Sequence, residues 1–383
     1  MAEGTGRKAL WAANLLFLSL FVPPLSLALF FGATLWLYSW QQSSDRLDNR
    51  HRLVLSVALL TVFLIAYRAL SWFGVEPYGG LLHLWWNKDW GPWLLPGYSG
   101  LGVSYCYLRS IYALTAPNMT PAEFSRYYFF FPTYFSGPIM APQEYLGQEP
   151  SLKRENLAYG VTRLLYGLLK FGLSSCLQVA SPLTQTGTAE LAILVYGPLA
   201  LWGWAFFAGL WLYLNFSAFT DLAIGMGCLL GIRVPENFNR PYRALDISDF
   251  WRRWHISLGN WLRANIFNPT TRAANRQGLS EMQTTLLPPL LTMVVCGLWH
   301  GLTLPFLLWG AYHGAGLAGH QLWRRLAVPR LPRNLIHSPW YDRGCWLVTH
   351  AFVTYSWIFF FPVDNARLLF HLKLGLALLG YTR

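Results

Sequence analysis

Charged side chains are scarce in this chain of 383 residues: only 12% are Asp, Glu, Lys or Arg, about half the fraction that a soluble globular domain carries. Acidic residues are the scarcer kind, with 17 against 29 basic residues and a formal net charge of +12. Hydrophobic residues make up 54% and aromatic residues 17%. This composition excludes intrinsic disorder and an ordinary soluble enzyme, and it predicts that much of the surface faces something other than water.

Paired cysteines and metal-ligand motifs are also missing. The five cysteines are scattered, mostly in apolar stretches, and are interpreted as small core residues. No H-E-x-x-H motif occurs, and the stretch between Glu281 and Arg324 offers no carboxylate to complete a metal shell. We therefore expect no metal site and no tightly bound cofactor. The basic residues form short clusters without a polar domain to present them, which favours membrane headgroups over nucleic acid as a partner.

Long uncharged stretches are the most informative feature that is present. Four of them are long enough to span a bilayer: residues 9–44, 191–220, 282–323 and 344–363. Pro23-Pro24 predicts a broken helix or two short helices in the first, which we interpret as retained and not as a signal peptide. The third accommodates two helices with a turn near Thr303-Leu304-Pro305.

Three further apolar stretches contain one or two basic residues each: Leu53 to Phe73, Leu101 to Ala116 and Leu157 to Ala180. Together the stretches predict an all-α polytopic membrane protein with roughly ten transmembrane helices in one membrane-embedded domain over residues 1–383. Eight arginines fall between Arg233 and Arg276, and the positive-inside tendency places this connection in the cytoplasm. Within it, Asp249 to Trp254 suits a short interfacial helix with aromatic rings at headgroup depth.

Ionisable groups within the apolar layer are costly, so each is a functional hypothesis. Tyr213, Ser217 and Asp221 are spaced to lie on one helical stripe, which then faces protein or water. Asp221 either braces a neighbouring segment or lines a polar chamber. His255 lies among tryptophans and arginines, either as an interfacial anchor or as a site residue.

His300 lies inside the uncharged hairpin, within a G-x-x-x-G step formed by Gly297 and Gly301 that lets another backbone approach closely. A buried histidine tends to be neutral and can accept a proton from an alcohol; the alternative is a histidine that only bridges two helices. His313 and His320 lie on the next helix. For His313 we expect helix packing or a hydrogen bond to His300.

Several ordered motifs resemble those of the membrane-bound O-acyltransferase family, in the bacterial branch of alginate O-acetyltransferases and teichoic-acid D-alanyl transferases. The similarity runs from about residue 101 to residue 316. It rests on these segments: Phe131 to Ile139, Tyr213 to Gly225, Pro235 to Tyr242, Phe250 to Arg263 and Leu298 to Gly301. The chain departs from the branch at Asn265 to Arg272, where relatives commonly have a Pro-Leu-Gly-Gly-like turn.

This resemblance implies a ring of tilted helices around a central tunnel, with re-entrant and interfacial helices, and it implies that Phe131 to Ile139 is re-entrant. The histidine of the Trp-His-Gly motif, His300, would be catalytic, and His255 would be the second essential polar residue. An acyl thioester needs a base for the hydroxyl and a donor for the oxyanion. His300 would be the base, and His255 or Asn215 could donate to the oxyanion or position the donor.

The resemblance implies a cytosolic thioester donor, on coenzyme A or an acyl carrier protein, and an acceptor hydroxyl that enters from the other side. We expect substrate or tunnel contacts from Asn215, Ser217, Asp221, Asn237 and Trp299. Arg252, Arg253 and Arg263 either dock the donor or only set the membrane orientation.

The predicted function is therefore O-acylation, with acetyl favoured and D-alanyl as the close rival. The acceptor is an extracytoplasmic polysaccharide, a cell-wall polymer or a secreted partner transferase, and the chain is expected in the bacterial inner membrane. Two other classes remain open: a transporter or channel lined by Asp221, His255 and His300, and a haem protein using His300 and His313.

Overall fold

The computed structural model describes residues 24–43, 49–70, 103–116, 119–134, 136–150, 152–180 and 186–361, and the single residues 12, 14 and 376. Every regular element in these ranges is helical, and no strand occurs among them. The predicted all-α fold class is confirmed for this part of the chain. The contacts divide the chain into two compact units, Met1–Tyr166 with Phe219–Pro235, and Gly167–Ala218 with Glu236–Arg383. A single domain over residues 1–383 remains a prediction.

The helices follow the apolar stretches of the sequence. In the first half they are α1 (Pro24–Ser43), α2 (Asn49–Leu70), α3 (Val103–Thr115), α4 (Pro121–Tyr128), α5 (Pro142–Leu146), α6 (Arg154–Ala180) and α7 (Thr186–Leu229). In the second half they are α8 (Ile247–Arg253), α9 (Ile256–Leu262), α10 (Asn268–Arg276), α11 (Glu281–His300), α12 (Leu304–Leu322), α13 (Arg333–Ile336) and α14 (Pro339–Phe360). Short π-helical and 3₁₀ segments join several of these helices.

Helix boundaries agree with the local signals. Helix α1 begins at the second residue of the Pro23-Pro24 pair, where the missing N–H of proline costs nothing. The stretch before it lies outside the described residues, apart from residues 12 and 14. Helices α11 and α12 form the predicted pair, and Thr303 precedes the first residue of α12.

Two described segments are long and apolar enough to cross a bilayer. They are Trp202–Leu229, within α7, and Glu281–His300, which is α11, each with a mean hydropathy of 1.3. Both reach the length of about 20 residues that the hydrocarbon layer requires. His300 therefore lies at the end of an apolar helix, and the connection between the two segments contains His255.

The α11–α12 pair packs closely because glycines line the contact. A Cβ atom on Gly297 would overlap the carbonyl oxygen of Phe306, and one on Gly310 would overlap that of Met293. A Cβ on Gly301 would meet the ring of Phe306. The predicted close approach at the G-x-x-x-G step is confirmed, and it fixes the helix end that carries His300.

Hydrogen bonds to main-chain carbonyls explain how the apolar helix α3 accommodates a buried arginine. Arg109 is 4% exposed, and its guanidinium donates to the carbonyl oxygens of Tyr128 (2.8 Å) and Thr133 (2.8 Å) and to Thr133 Oγ1 (2.6 Å). These bonds satisfy donors whose unpaired burial would be costly. They also hold the start of the Phe131–Ile139 segment, for which a re-entrant course was predicted.

The short helix predicted at Asp249 to Trp254 is present as α8, but two of the three aromatic rings in this segment are buried within the protein. Phe250 is 1% exposed and Trp254 is 5% exposed. The ring of Trp254 packs on Trp357 of α14 at a centroid distance of 5.5 Å. The alternation of aromatic and basic residues suggested an interface, whereas the rings are used for packing within the protein.

Candidate active site

His255 is the residue immediately before α9, and it is only 3% exposed. Its backbone is in the left-handed region, with φ = 44°. The ring lies edge to face with Phe216, 4.7 Å between centroids, and the N–H of the next residue, Ile256, donates to the carbonyl of Asn237 at 2.9 Å. The interpretation of His255 as an interfacial anchor is therefore wrong, because the side chain is enclosed by protein.

Asn237 organises the polar side of this histidine. Its Oδ1 accepts the backbone N–H of Ser257 (3.1 Å), accepts the Ser257 hydroxyl (2.8 Å) and lies 3.2 Å from His255 Nδ1. A backbone N–H can only donate, so Oδ1 is an acceptor and Nδ1 of His255 bears the proton in this bond. In the neutral imidazole, Nε2 is then the nitrogen that accepts a proton.

The electrostatics of the site keep His255 neutral. His255 lies in the connection between the two apolar segments, and burial lowers its pKa well below the ordinary value of 6.5. A positive charge on His300 would lower the pKa of His255 further. Desolvation penalises the imidazolium, and a second nearby cation adds repulsion.

His300 is the last residue of α11, half-buried in a box of aromatic rings. The centroid distances from its imidazole are 4.7 Å to Trp299, 5.0 Å to Phe360, 5.4 Å to Trp309 and 5.9 Å to Phe306. This environment excludes much of the surrounding water and holds the ring in place.

Trp299 connects the two histidines that the sequence singled out. Its ring centroid lies 6.2 Å from that of His255 and 4.7 Å from that of His300. The structure therefore brings His255, His300, Trp299 and Asn237 together in one compact unit. Phe216 also belongs to this cluster and was missed, since nothing distinguishes one phenylalanine in an apolar helix.

The predicted residues of α7 are placed differently. Ser217 is buried, and its hydroxyl donates back to the carbonyl of Leu214 at 3.3 Å, while Asn215 is half-buried. Asp221 is 3% exposed and forms an ion pair with Arg163 of α6, 2.5 Å from Nη2 to Oδ1. This pair lies in the first compact unit and supports the bracing interpretation of Asp221.

The three predicted donor-docking arginines differ in their surroundings. Asp249 pairs with Arg252 at 3.2 Å and with Arg253 at 2.8 Å. Arg253 also donates to the carbonyl of Asn239 at 3.3 Å, so its guanidinium is tied to the fold. Arg252 and Arg263 are exposed, which is what recognition of a soluble donor requires.

His313 is fully buried, and its Nδ1 accepts the indole N–H of Trp251 at 3.3 Å. The predicted helix-packing role fits this contact, whose partner is Trp251 and not His300. His320 Nε2 lies 3.5 Å from a carboxylate oxygen of Asp246. In the described part of the chain, no three His, Cys, Asp or Glu side chains are grouped so that they could hold a metal ion.

Comparison with known proteins identifies the class to which this fold and site belong. Residues 59–356 match the model of the membrane-bound O-acyltransferase family, MBOAT. The chain belongs to this family. The resemblance read from the ordered motifs of the sequence is thereby confirmed.

Curated relatives include both acetyl- and alanyl-transferring proteins. A probable alginate O-acetylase of Pseudomonas putida is 29% identical over 359 residues, covering 87% of this chain and 67% of that protein. A peptidoglycan O-acetyltransferase of Helicobacter pylori is 29% identical, covering 62% and 43%. A teichoic acid D-alanyltransferase of Streptococcus thermophilus is 26% identical, covering 76% and 69%.

The chain spans only part of some of these relatives. A probable alginate O-acetylase of Azotobacter vinelandii is 31% identical over 306 residues, which cover 75% of this chain but 53% of that protein. The matched family region, residues 59–356, contains every predicted site residue.

Proposed function

We propose that this chain is an acyltransferase that moves an acyl group from a thioester to a hydroxyl, with His300 as the general base. The observation that carries the proposal is the convergence of His255 and His300 on Trp299. Membership of the acyltransferase family and the names of the relatives support it.

Acyl transfer from a thioester to a hydroxyl requires a base such as the imidazole of His300. As the acceptor oxygen attacks the thioester carbonyl, His300 takes the hydroxyl proton and a C–O bond forms. When the tetrahedral intermediate collapses, the C–S bond breaks and the proton passes from His300 to the departing thiolate. The products are an ester and a thiol. General-base assistance of this kind is typically worth about 10² to 10⁴ in rate.

His255 complements this base without competing for its proton. The bond to Asn237 fixes the tautomer of His255, and burial holds the imidazole neutral while His300 carries the transferred proton. A neutral Nε2 can accept a hydrogen bond, so we assign His255 to positioning the reacting groups. The bond from Nδ1–H to Asn237 orients the ring and determines which of its nitrogens carries the proton.

The direction of transfer belongs to the same proposal. We place the chain in the bacterial inner membrane as a multi-pass protein with about ten spans around a tunnel. Exposed Arg252 and Arg263 would attract a cytosolic acyl-coenzyme A or acyl carrier protein. The hydroxyl would come from an extracytoplasmic polysaccharide, a cell-wall polymer or a secreted partner transferase, with acetyl as the favoured group and D-alanyl as its rival.

The test uses the purified full chain in lipid nanodiscs with acetyl-coenzyme A or a D-alanyl carrier protein as donor. Thiol release and ester formation on added polysaccharide are measured together. We expect His300→Ala to lower the rate at least about 100-fold, while His337→Ala, at an exposed histidine, serves as the matched control. Solute or ion flux without loss of either thioester would contradict the proposal and favour a transporter.

A further inference from the structure

Two neighbouring buried N–H donors have no acceptor among the residues that the structure describes. They are the indole Nε1 of Trp309, 2% exposed, and Nε2 of His313, 1% exposed. Both side chains are on α12, and their ring centroids are 4.8 Å apart. The Trp309 ring also lies 5.4 Å from that of His300.

The hydrogen bond at Nδ1 of His313 determines that the proton of the ring is on Nε2. Trp251 donates its indole N–H to His313 Nδ1 at 3.3 Å, and an indole nitrogen can only donate. Nδ1 must therefore be unprotonated, and the neutral imidazole carries its hydrogen on Nε2. Trp309 and His313 thus offer two N–H donors and no acceptor.

Buried donors without acceptors are unfavourable. Each costs about 1–3 kcal/mol when its hydrogen bond is not made, so buried polar groups are nearly always paired. Trp309 and His313 differ from an isolated donor such as Trp211 because their rings are in contact and Trp309 lies against the proposed base, so that one ligand oxygen could accept from both. In thioester chemistry, the oxygen that gains negative charge is the acyl carbonyl.

His255, which the sequence suggested as a possible oxyanion donor, already uses its ring N–H for another hydrogen bond. The Nδ1–H of His255 is directed to Asn237, and its neutral Nε2 is an acceptor. An oxyanion needs donors, which neutral His255 cannot supply at Nε2. His255 is therefore not the oxyanion donor, which leaves the buried N–H groups of Trp309 and His313 as candidates beside Asn215.

We propose that Trp309 Nε1–H and His313 Nε2–H bind the acyl carbonyl oxygen and stabilise the oxyanion that forms when the hydroxyl attacks. This inference rests on the proposed function. The carbonyl π electrons move to oxygen as the C–O bond forms, and they return as the C–S bond breaks and the thiolate takes the proton from His300. Trp251 is a positioning residue, because it fixes which nitrogen of His313 carries the hydrogen.

The first test is kinetic and uses the full chain in nanodiscs with acetyl-coenzyme A. Trp309→Phe removes one donor while keeping an aromatic ring, and we expect kcat to fall about 10² to 10³-fold with little change in KM. His313→Leu should have a similar effect. His313→Gln keeps an acceptor for Trp251 and an N–H donor, so it should recover much of the lost rate, which a purely structural role of the ring would not explain.

A matched control removes another indole N–H from the same unit. Trp211 packs on Phe361, and its Nε1 also has no acceptor in the described part of the chain. Trp211→Phe should leave kcat within about twofold, since no charge develops there. An equal loss in Trp211→Phe and Trp309→Phe would overturn the inference.

The second test observes the carbonyl directly. Infrared difference spectra with 1-¹³C-labelled acetyl-coenzyme A and inactive His300→Ala protein should show the bound carbonyl stretch shifted to lower frequency. Adding Trp309→Phe or His313→Leu should reverse the shift, and His313→Gln should restore it. Full turnover and an unchanged carbonyl band in Trp309→Phe would overturn the oxyanion inference but not the proposed function. A wild-type protein that consumes no thioester would overturn both.

Discussion

Nδ1 of His255 lies 3.2 Å from Oδ1 of Asn237, and the same oxygen accepts two hydrogen bonds from Ser257. This arrangement fixes the tautomer of a histidine whose surroundings are otherwise mostly aromatic. It also joins the segment before α8 to the start of α9, because Asn237 accepts the N–H of Ile256 through its main-chain carbonyl.

Asn237→Ala should lower acyl transfer about 10- to 100-fold, the size of effect seen when the partner that orients a metal-bound histidine is lost. Asn237→Asp should retain the bonds to Ser257 but favour the imidazolium of His255, which shifts the acidic limb of the pH–rate profile upward. The measurement is kcat against pH for the three proteins. A profile in Asn237→Asp that coincides with that of the wild type would contradict the assigned role.

The stability of the protein should depend on pH through His255. Its native pKa lies well below 6.5, while the unfolded chain takes up the proton near 6.5. Below pH 6.5 the unfolded state binds more protons, so the free energy of unfolding falls with falling pH, by at most about 1.4 kcal/mol per pH unit for one group. Above pH 6.5 both states are neutral and the contribution is constant.

The measurement is the midpoint of thermal denaturation in detergent between pH 5 and pH 8, for wild-type protein and for His255→Gln. The variant lacks the titrating group and should lose less stability on acidification than the wild type does. Equal losses in the two proteins would show that His255 is not the group responsible.

Any side chain at position 297 should clash with the neighbouring helix in the α11–α12 contact. A Cβ there overlaps main-chain atoms of Phe306, which cannot move as a flexible side chain would. Gly297→Val should therefore destabilise by about 1–3 kcal/mol or more and displace His300. Gly319→Ala, on α12 with open space around its Cβ, is the matched control and should be neutral or stabilising by up to about 1 kcal/mol. Thermal midpoints and thioester turnover are measured together.

The Arg163–Asp221 ion pair should be required for folding and not for chemistry. Removing one partner leaves a buried charge, so Asp221→Ala should cost about 3–5 kcal/mol. Replacing both residues with leucine should recover much of that stability, together with acyl transfer in the folded fraction. A stable double variant without activity would instead favour the chamber-lining interpretation of Asp221.

Local signals in the sequence predicted the helices and part of the site. Proline and glycine positions and uncharged stretches marked α1, α11 and α12, because these effects act within a few residues along the chain. The Trp-His-Gly motif identified His300 for the same reason. Its aromatic surroundings include Phe360 from a different helix, which no local pattern can reveal.

The remaining features depend on contacts between distant residues. Asp221 is paired with Arg163, which lies in another helix, and the sequence alone left both the bracing and the chamber-lining interpretation of Asp221 open. His255 was ambiguous because its Trp and Arg neighbours suit an interfacial anchor as well as a residue of the site. Its enclosure by Phe216 and Asn237 decides the question, and so does the burial of Phe250 and Trp254.

Arg252 is exposed and only three positions before the enclosed imidazole of His255, yet the two side chains are held by separate partners, Asp249 and Asn237. In the proposed enzyme, substitutions at the exposed guanidinium groups would therefore alter recognition of the donor and leave the histidine site intact. On this proposal, donor preference and acyl-transfer rate are separable properties of the chain, each set by its own pair of side chains.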